Sequence, residues 1–409
     1  MRVLIATALC WAFMVFAQGR TLQVPQQYST IGLAVNDAVA GDIVLISPGL
    51  YRENIATRKA ISFRSIDPAN SDVVARTIID GQRMAGVFSL VPYNAILTTV
   101  TVAGLTIRNG YARYQNGGGG IEADGYVHVG IIIEHCVIEN NWSELNGGGV
   151  FASSEAAGLV IRRCVIRNNH SFHIRNGGGI DVHGATARIE NCEVTSNTAG
   201  YGGGIYGSVP IRNCLVTRNV ARRENGYGGR GGGILGRGPI ENCIIAENVA
   251  SDYGGGVDSG AEGNPSAIQN CTIVGNRAGA TGGGVVYLTG NVLRNSIVWG
   301  NVAPRNAQID YTPKITSGPL FCCIQDWTTH TLGTISADPR FVGPADFHLR
   351  RLSPCIDRGS DIGAPPLDFE GNRRPVDGNG DGTVRADMGA YEYTLPISVV
   401  SRMLWTRYR

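Results

Sequence analysis

Four side chains able to move a proton or hold a cation stand behind two copies of the same glycine run. Glu122 and Asp124 follow Gly118 to Gly120 and Ile121, and Asp181 and His183 follow Gly177 to Gly179 and Ile180. Asp258 takes the matching place after Val257. Closely spaced carboxylates can coordinate calcium or serve as acid and base at a glycosidic bond. A histidine beside a carboxylate can carry a proton near neutral pH. Phe151 and Tyr206 occupy the same place in the intervening copies, and their flat rings suit stacking on a sugar better than a metal cage. A solvated face of ordinary polar residues would give the same spacing, so both readings stand at this level.

The elements that must position these residues are repeats. Two or three glycines and a branched apolar residue recur seven times, ending at Ile121, Val150, Ile180, Ile205, Ile234, Val257 and Val285, at intervals of 23 to 30 residues. A period of that size means a solenoid in which each repeat is one coil stacked on the last. A second column contains Cys136, Cys164, Cys192, Cys214, Cys243 and Cys271, with Ser296 in the seventh copy. Ile138, Ile166, Val194, Val216, Ile245, Ile273 and Val298 come two residues later, the spacing of a strand with both residues facing inward. Five residues after each cysteine position stand Asn141, Asn169, Asn197, Asn219, Asn248, Asn276 and Asn301. Asparagine tolerates the left-handed backbone of a sharp corner, and its amide can bond the same amide one coil away. Asn191, Asn213, Asn242, Asn270 and Asn295 form another corner column. Coils running the same way give parallel sheets about 4.8 Å between strands. The expected fold is all-β, a right-handed parallel β-helix with an N-terminal capping helix and an irregular C-terminal cap.

An open core at each end needs a cover. Ser29 to Ala40 supplies one, with Ser29 as the expected N-cap and Ile31, Leu33, Ala34, Val35 and Ala38 as the apolar stripe. The chain divides into a signal peptide over 1–17, the cap and first coils over 18–60, coils over 61–311, closing coils and cap over 312–393, and a tail over 394–409. Arg2, the apolar stretch from Val3 to Phe16 and the small residue Ala17 make the leader. The formal charge is +2 from 35 basic and 33 acidic residues, which argues against nucleic acid as a partner. No later segment is apolar for long enough to span a bilayer.

With these residues in view, the chain resembles known families. Its opening from Tyr28 to Asn54 resembles the start of exported β-helix proteins of the pectin-lyase-like superfamily. The pairing of Gly-Gly-Gly-Ile/Val with Ile/Val-x-x-Asn resembles the repeats of polymorphic outer membrane proteins, which are surface adhesins, with Ile or Val here in place of their phenylalanine. The end, from Ser336 through Tyr393, is similar to choice-of-anchor Q domain proteins. The resemblance implies an extracellular, cell-surface or periplasmic address, a monomer, and a polysaccharide or cell-surface ligand. It leaves three functions open: an adhesin-like carbohydrate binder, a polysaccharide lyase or glycoside hydrolase, and a structural shaft. The aspartate pairs, lysine-arginine patterns and calcium-binding acidic trios of the superfamily's enzymes are missing, so the binder leads.

Three further features are singled out. The thiol column reads as core packing. Cys323 and Cys355 lie outside it and are candidates for a disulfide pinning the C-terminal cap. Asp377, Asn379 and Asp381 begin like a calcium loop, although Met388 takes the twelfth position where glutamate is required. Calcium therefore stands as the one cofactor to test.

Overall fold

The computed structural model describes residues 19–92, 99–113, 117–124, 130–153, 158–172, 174–184, 186–260, 267–287, 292–311 and 318–394. The leader and nearly all of the tail lie outside the described residues. The chain folds as a right-handed parallel β-helix. Sheet 1 has eleven strands, from Thr21–Val24 to Val292–Arg294. Sheet 2 also has eleven, from Gly49–Tyr51 to Cys323–Ile324, and sheet 3 has ten, from Ile55–Thr57 to Ile309–Tyr311. A ribbon of seven two-residue strands, from Tyr111–Ala112 to Arg277–Ala278, leads into sheet 3.

The aligned columns are coil-to-coil neighbours. Ile121, Val150, Ile180, Ile205, Ile234, Val257 and Val285 pair in unbroken register along sheet 3 and are buried. Ile138 through Val298 do the same in sheet 2. The six column cysteines are buried free thiols. Ser296 continues their column by accepting the Cys271 amide at 3.1 Å.

The asparagine ladder and the glycine run prove to be one device. Asn197 Nδ2 donates to Asn219 Oδ1 at 3.0 Å and to the Ile166 carbonyl at 2.9 Å, and its backbone amide also bonds Asn219 Oδ1. A Cβ on Gly204 would lie 2.9 Å from the Asn219 amide, so the third glycine of the run makes room for the ladder. A Cβ on Gly203 would come within 2.5 Å of the Gly232 carbonyl oxygen on one side and the Val220 backbone on the other. The corner itself differs from the expectation. The left-handed residues are those just before the ladder: Asn140, Asn168, Ser196, Arg218, Glu247, Gly275 and Gly300. That residue turns the chain, which leaves the ladder amide free to point inward. The second column is left-handed as expected, with φ between 49° and 54° at Asn191, Asn213, Asn242, Asn270 and Asn295.

At the N-terminal end the helix runs Ile31–Asp37, and Thr30 rather than Ser29 caps it, its Oγ1 accepting the Leu33 amide at 3.2 Å. The Glu53 carboxylate takes the Ile31 and Gly32 amides, an anion at the positive end of the helix. Ile31, Ala34 and Val35 face the core, while Leu33 faces solvent.

The C-terminal region departs most from its expected role. Beyond Ser353 the chain returns along the outside of sheet 2 as a strap. Asn295 bonds Ser360, Asn242 bonds the Leu367 carbonyl, and Thr272 Oγ1 accepts the Ala390 amide. Phe369, Ala390 and Tyr391 pack on Ile244, Ala246 and Val274. Cys323 and Cys355, the candidates for a disulfide, are buried free thiols in one apolar cluster beneath this region. The expected cation loop is a self-contained turn. Asp377 accepts the Gly380 and Gly382 amides, Asn379 accepts Asp381, and Asp381 accepts Thr383. No group of three His, Cys, Asp or Glu side chains placed to hold a metal occurs among the described residues.

Candidate functional site

Along sheet 3 the residue after each core Ile or Val points away from the core, and strand register places Ser89, Glu122, Phe151, Asp181, Tyr206, Leu235, Asp258 and Val286 in one column. The solvated face allowed by the sequence is not what forms. Glu122 is 8% exposed, Phe151 5%, and Asp181 and Asp258 are 0% exposed. The reason is the glycine run of the same coil, which folds back over its own strand. The first glycine, left-handed at Gly177 and Gly254, brings the place of a Cβ within 2.7 Å of the Cβ of Asp181 and of Asp258. The column is therefore the floor of a groove.

The residues before the glycine runs form one wall. Asn176, Tyr201, Arg230, Tyr253 and Thr281 are bridged in that order. Two residues beyond the floor come Asp124, Ser153, His183, Ser208 and Arg237 on the other side. Between the walls an open groove of about 770 Å³ is lined by His183, Tyr201, Tyr206, Arg230, Leu235 and Arg237, among others.

The predicted side chains are spread among three separate settings. Glu122 accepts from Ser89 Oγ at 2.6 Å, and Asp124 bonds Ser153 Oγ. Burial lifts the Glu122 pKa, against the bond from Ser89. One coil lies between this pair and the next, as the repeat spacing required. Asp181 Oδ1 lies 2.9 Å from His183 Nε2, short of good hydrogen-bond alignment, and Asp181 Oδ2 has no polar partner. Burial raises the Asp181 pKa against the pull of His183, and contact with Asp181 raises that of His183. The His183 ring stands between Phe151 and Tyr206, with centroids at 6.2 and 5.4 Å. In the third setting, Asp258 is clasped by Arg230 at 2.8 and 3.2 Å and accepts the Gly260 amide at 2.9 Å.

Of the three, the second setting is the one whose geometry allows proton transfer in the groove. A carboxylate cut off from water and in contact with an imidazole holds that ring in one orientation and stabilises its protonated form. The half-exposed ring can then take or give a proton in the groove. Asp258, neutralised by arginine, is structural. Sequence reasoning missed Tyr201, Arg230 and Arg237. Arg237 stands in the same aligned place as Asp124 and His183, and Arg230 in that of Asn176, so extending the aligned phrase to the residue before its first glycine and to the third residue after its Ile or Val would have found both walls.

No protein-family model matches the chain, and no curated protein matches it. Among solved structures, it is similar to pectate lyase Pel9A, at 14% identity and a TM-score of 0.56, over 92% of this chain and 97% of that one. A PL6 family alginate lyase, AlyGC, aligns at 14% identity and a TM-score of 0.37, over 78% of this chain and 53% of that one. The pectin methylesterase from Aspergillus niger aligns at 12% identity and a TM-score of 0.27, over 75% of this chain and 84% of that one. At such identity the likeness to Pel9A shows a shared fold and leaves the chemistry to the site.

Proposed function

We propose that the protein is an exported, polysaccharide-binding β-helix and that the groove over sheet 3 holds the chain of sugars. The groove itself carries this reading: it is elongated, open, walled by rigid backbone, and lined by tyrosine rings beside hydroxyl, amide and guanidinium groups. Aromatic faces and fixed polar groups are what a sugar surface demands, and repetition along the rod suits a polymer that binds by many weak contacts. The resemblance of the repeats to those of surface adhesins is what supports an extracellular address.

A specific observation favours a second reading, a polysaccharide lyase or hydrolase. Asp181 is wholly buried, keeps one oxygen without a partner, and touches the one imidazole in the groove. That is an arrangement for proton transfer rather than for adhesion alone.

Incubation with neutral and acidic polysaccharides, with and without calcium, separates the readings when unsaturated products, new reducing ends and pelleted protein are followed together. Pelleting without product, weakened by Tyr206→Ala, supports binding. Product formation abolished by both Asp181→Asn and His183→Ala makes the protein an enzyme. Neither pelleting nor product overturns both and leaves a structural shaft.

A further inference from the structure

The side chains along the groove have a charge order that a binding polymer must match. At the N-terminal end stand Glu122 and Asp124. The Asp181 and His183 pair follows, with no net charge while one proton is shared between them. Tyr201 and Tyr206 make the next coil neutral. Arg230 and Arg237 come after, and Arg230 is neutralised by its two bonds to Asp258. Arg237 differs from every other charge in the central groove: among the described residues no carboxylate pairs with it, while it lines the cavity. Its place is set by the backbone, because its amide donates to Ser208 Oγ at 3.2 Å. Its head lies beside Gly260, whose φ is +73° and where a Cβ would make only ordinary contact with Arg237 Nε at 3.5 Å. A guanidinium with fixed footing, open space and no counter-ion is a receptor for a planar oxyanion.

We infer that Arg237 forms an anionic subsite within this groove, taking one carboxylate or sulfate substituent of a sparsely charged polysaccharide whose neutral sugars lie across Tyr206 and Tyr201. The inference rests on the binding role proposed above and adds the class of ligand. Sparse charge follows from the spacing. Arg237 is two strand steps, about 10 Å, from His183, and two more from Asp124. A polymer with an anion on every sugar would set charges against Glu122 and Asp124, where like charges repel.

The test is calorimetric titration of the full chain with four polymers: a neutral glucan, the same glucan sparsely carboxymethylated, the same glucan sparsely sulfated, and polygalacturonate. The sparsely charged glucans should bind about tenfold or more tightly than the neutral one. Arg237→Gln should remove that advantage, weakening the charged glucans at least tenfold more than the neutral one, and Arg237→Lys should restore part of it. The better of the carboxylated and sulfated polymers identifies the oxyanion. Unchanged preference in Arg237→Gln, or tightest binding by polygalacturonate, would overturn the subsite and leave the binding role intact. Failure of every polymer, the neutral glucan included, would overturn the binding role itself.

Discussion

Buried carboxylates stand both in the groove over sheet 3 and under the strap over sheet 2, and Asp181 in the first and Glu392 in the second are settled in opposite ways. Under the strap, Glu392 Oε1 accepts from Arg374 Nε at 2.6 Å, and the same oxygen takes the Asp387 amide at 2.9 Å. Arg374 is 0% exposed at its side chain and also reaches Asn242 and the carbonyls of Gly389 and Ala390. In the groove, Asp181 has only a half-exposed histidine. One carboxylate is locked by a permanent cation and seals two surfaces together. The other faces a group whose charge can change, beneath an opening. A buried charge with a fixed partner makes structure, whereas one with a titratable partner and access to solvent is poised for ligands or protons.

Mutation can break this contrast at several strengths. The largest effect is expected where the groove is built from backbone. In Gly203→Ala the new methyl meets main-chain atoms at 2.5 Å on both sides, and no side chain can move to relieve it. Urea denaturation should show a loss of about 4 kcal/mol or more, or no folded protein. Next, Glu392→Gln strips the counter-ion from an arginine that cannot shed its proton, at a cost of about 3 to 5 kcal/mol in the same assay.

The strap should also respond to pH. His348 pairs with Asp346 inside the hairpin of Phe341–Gly343 and Asp346–Leu349, and joins that hairpin to the strap through Glu370 and by stacking on Tyr391. Burial alone would lower its pKa, but the two carboxylates lift it from 6.5 to about 9. A raised histidine stabilises fully below its unfolded value, and that contribution is lost as pH rises through about 9. Burial, with Glu392 nearby, raises Asp387 from 3.8 to about 8. Its folded form therefore holds a proton that the unfolded chain gives up, and stability falls between those values. Both groups act in one direction. Limited proteolysis of the strap should be slow at pH 6 and fast at pH 10, and His348→Gln should flatten the upper part of that profile. Equal cleavage across the range would remove the titrating groups from any role in holding the strap.

The smallest effect sharpens the comparison most. Asp181→Asn removes a charge that has no fixed cation, so the melting midpoint should correspond to a change within about 1 kcal/mol, or a slight gain. A loss as large as that of Glu392→Gln would make Asp181 another structural carboxylate.

How far the sequence could be read depended on repetition. Columns such as Val194, Cys214 and Asn219 announced their neighbours because each coil restates the last, and strand, ladder and register follow from local spacing. The strap has no period. Its trace lies in sheet 2, where the outward column of Glu139 and Arg167, bonded at 2.8 Å, continues through Thr195 and Thr217 to the apolar Ala246 and Val274. Those apolar residues look like ordinary strand composition until the segment that covers them is known. The same holds for Asp377 and Asp381, whose spacing suits a cation but whose oxygens turn to backbone amides.

The chain's own order of residues determined the parallel β-helix, its register, the capping helix, and which side chains share the sheet 3 column, because these depend on periods of two and of one coil. Whether the column was solvent-washed or buried was decided only in three dimensions. Asp181, Glu122 and Asp258 alternate with inward residues just as exposed side chains would, and the glycine backbone that covers them approaches through space in a way that spacing does not encode. Tertiary structure alone also gave Asp258 to Arg230 and, among the described residues, left Arg237 without a carboxylate partner, since pairing among charges on neighbouring coils is set by distances of a few ångströms.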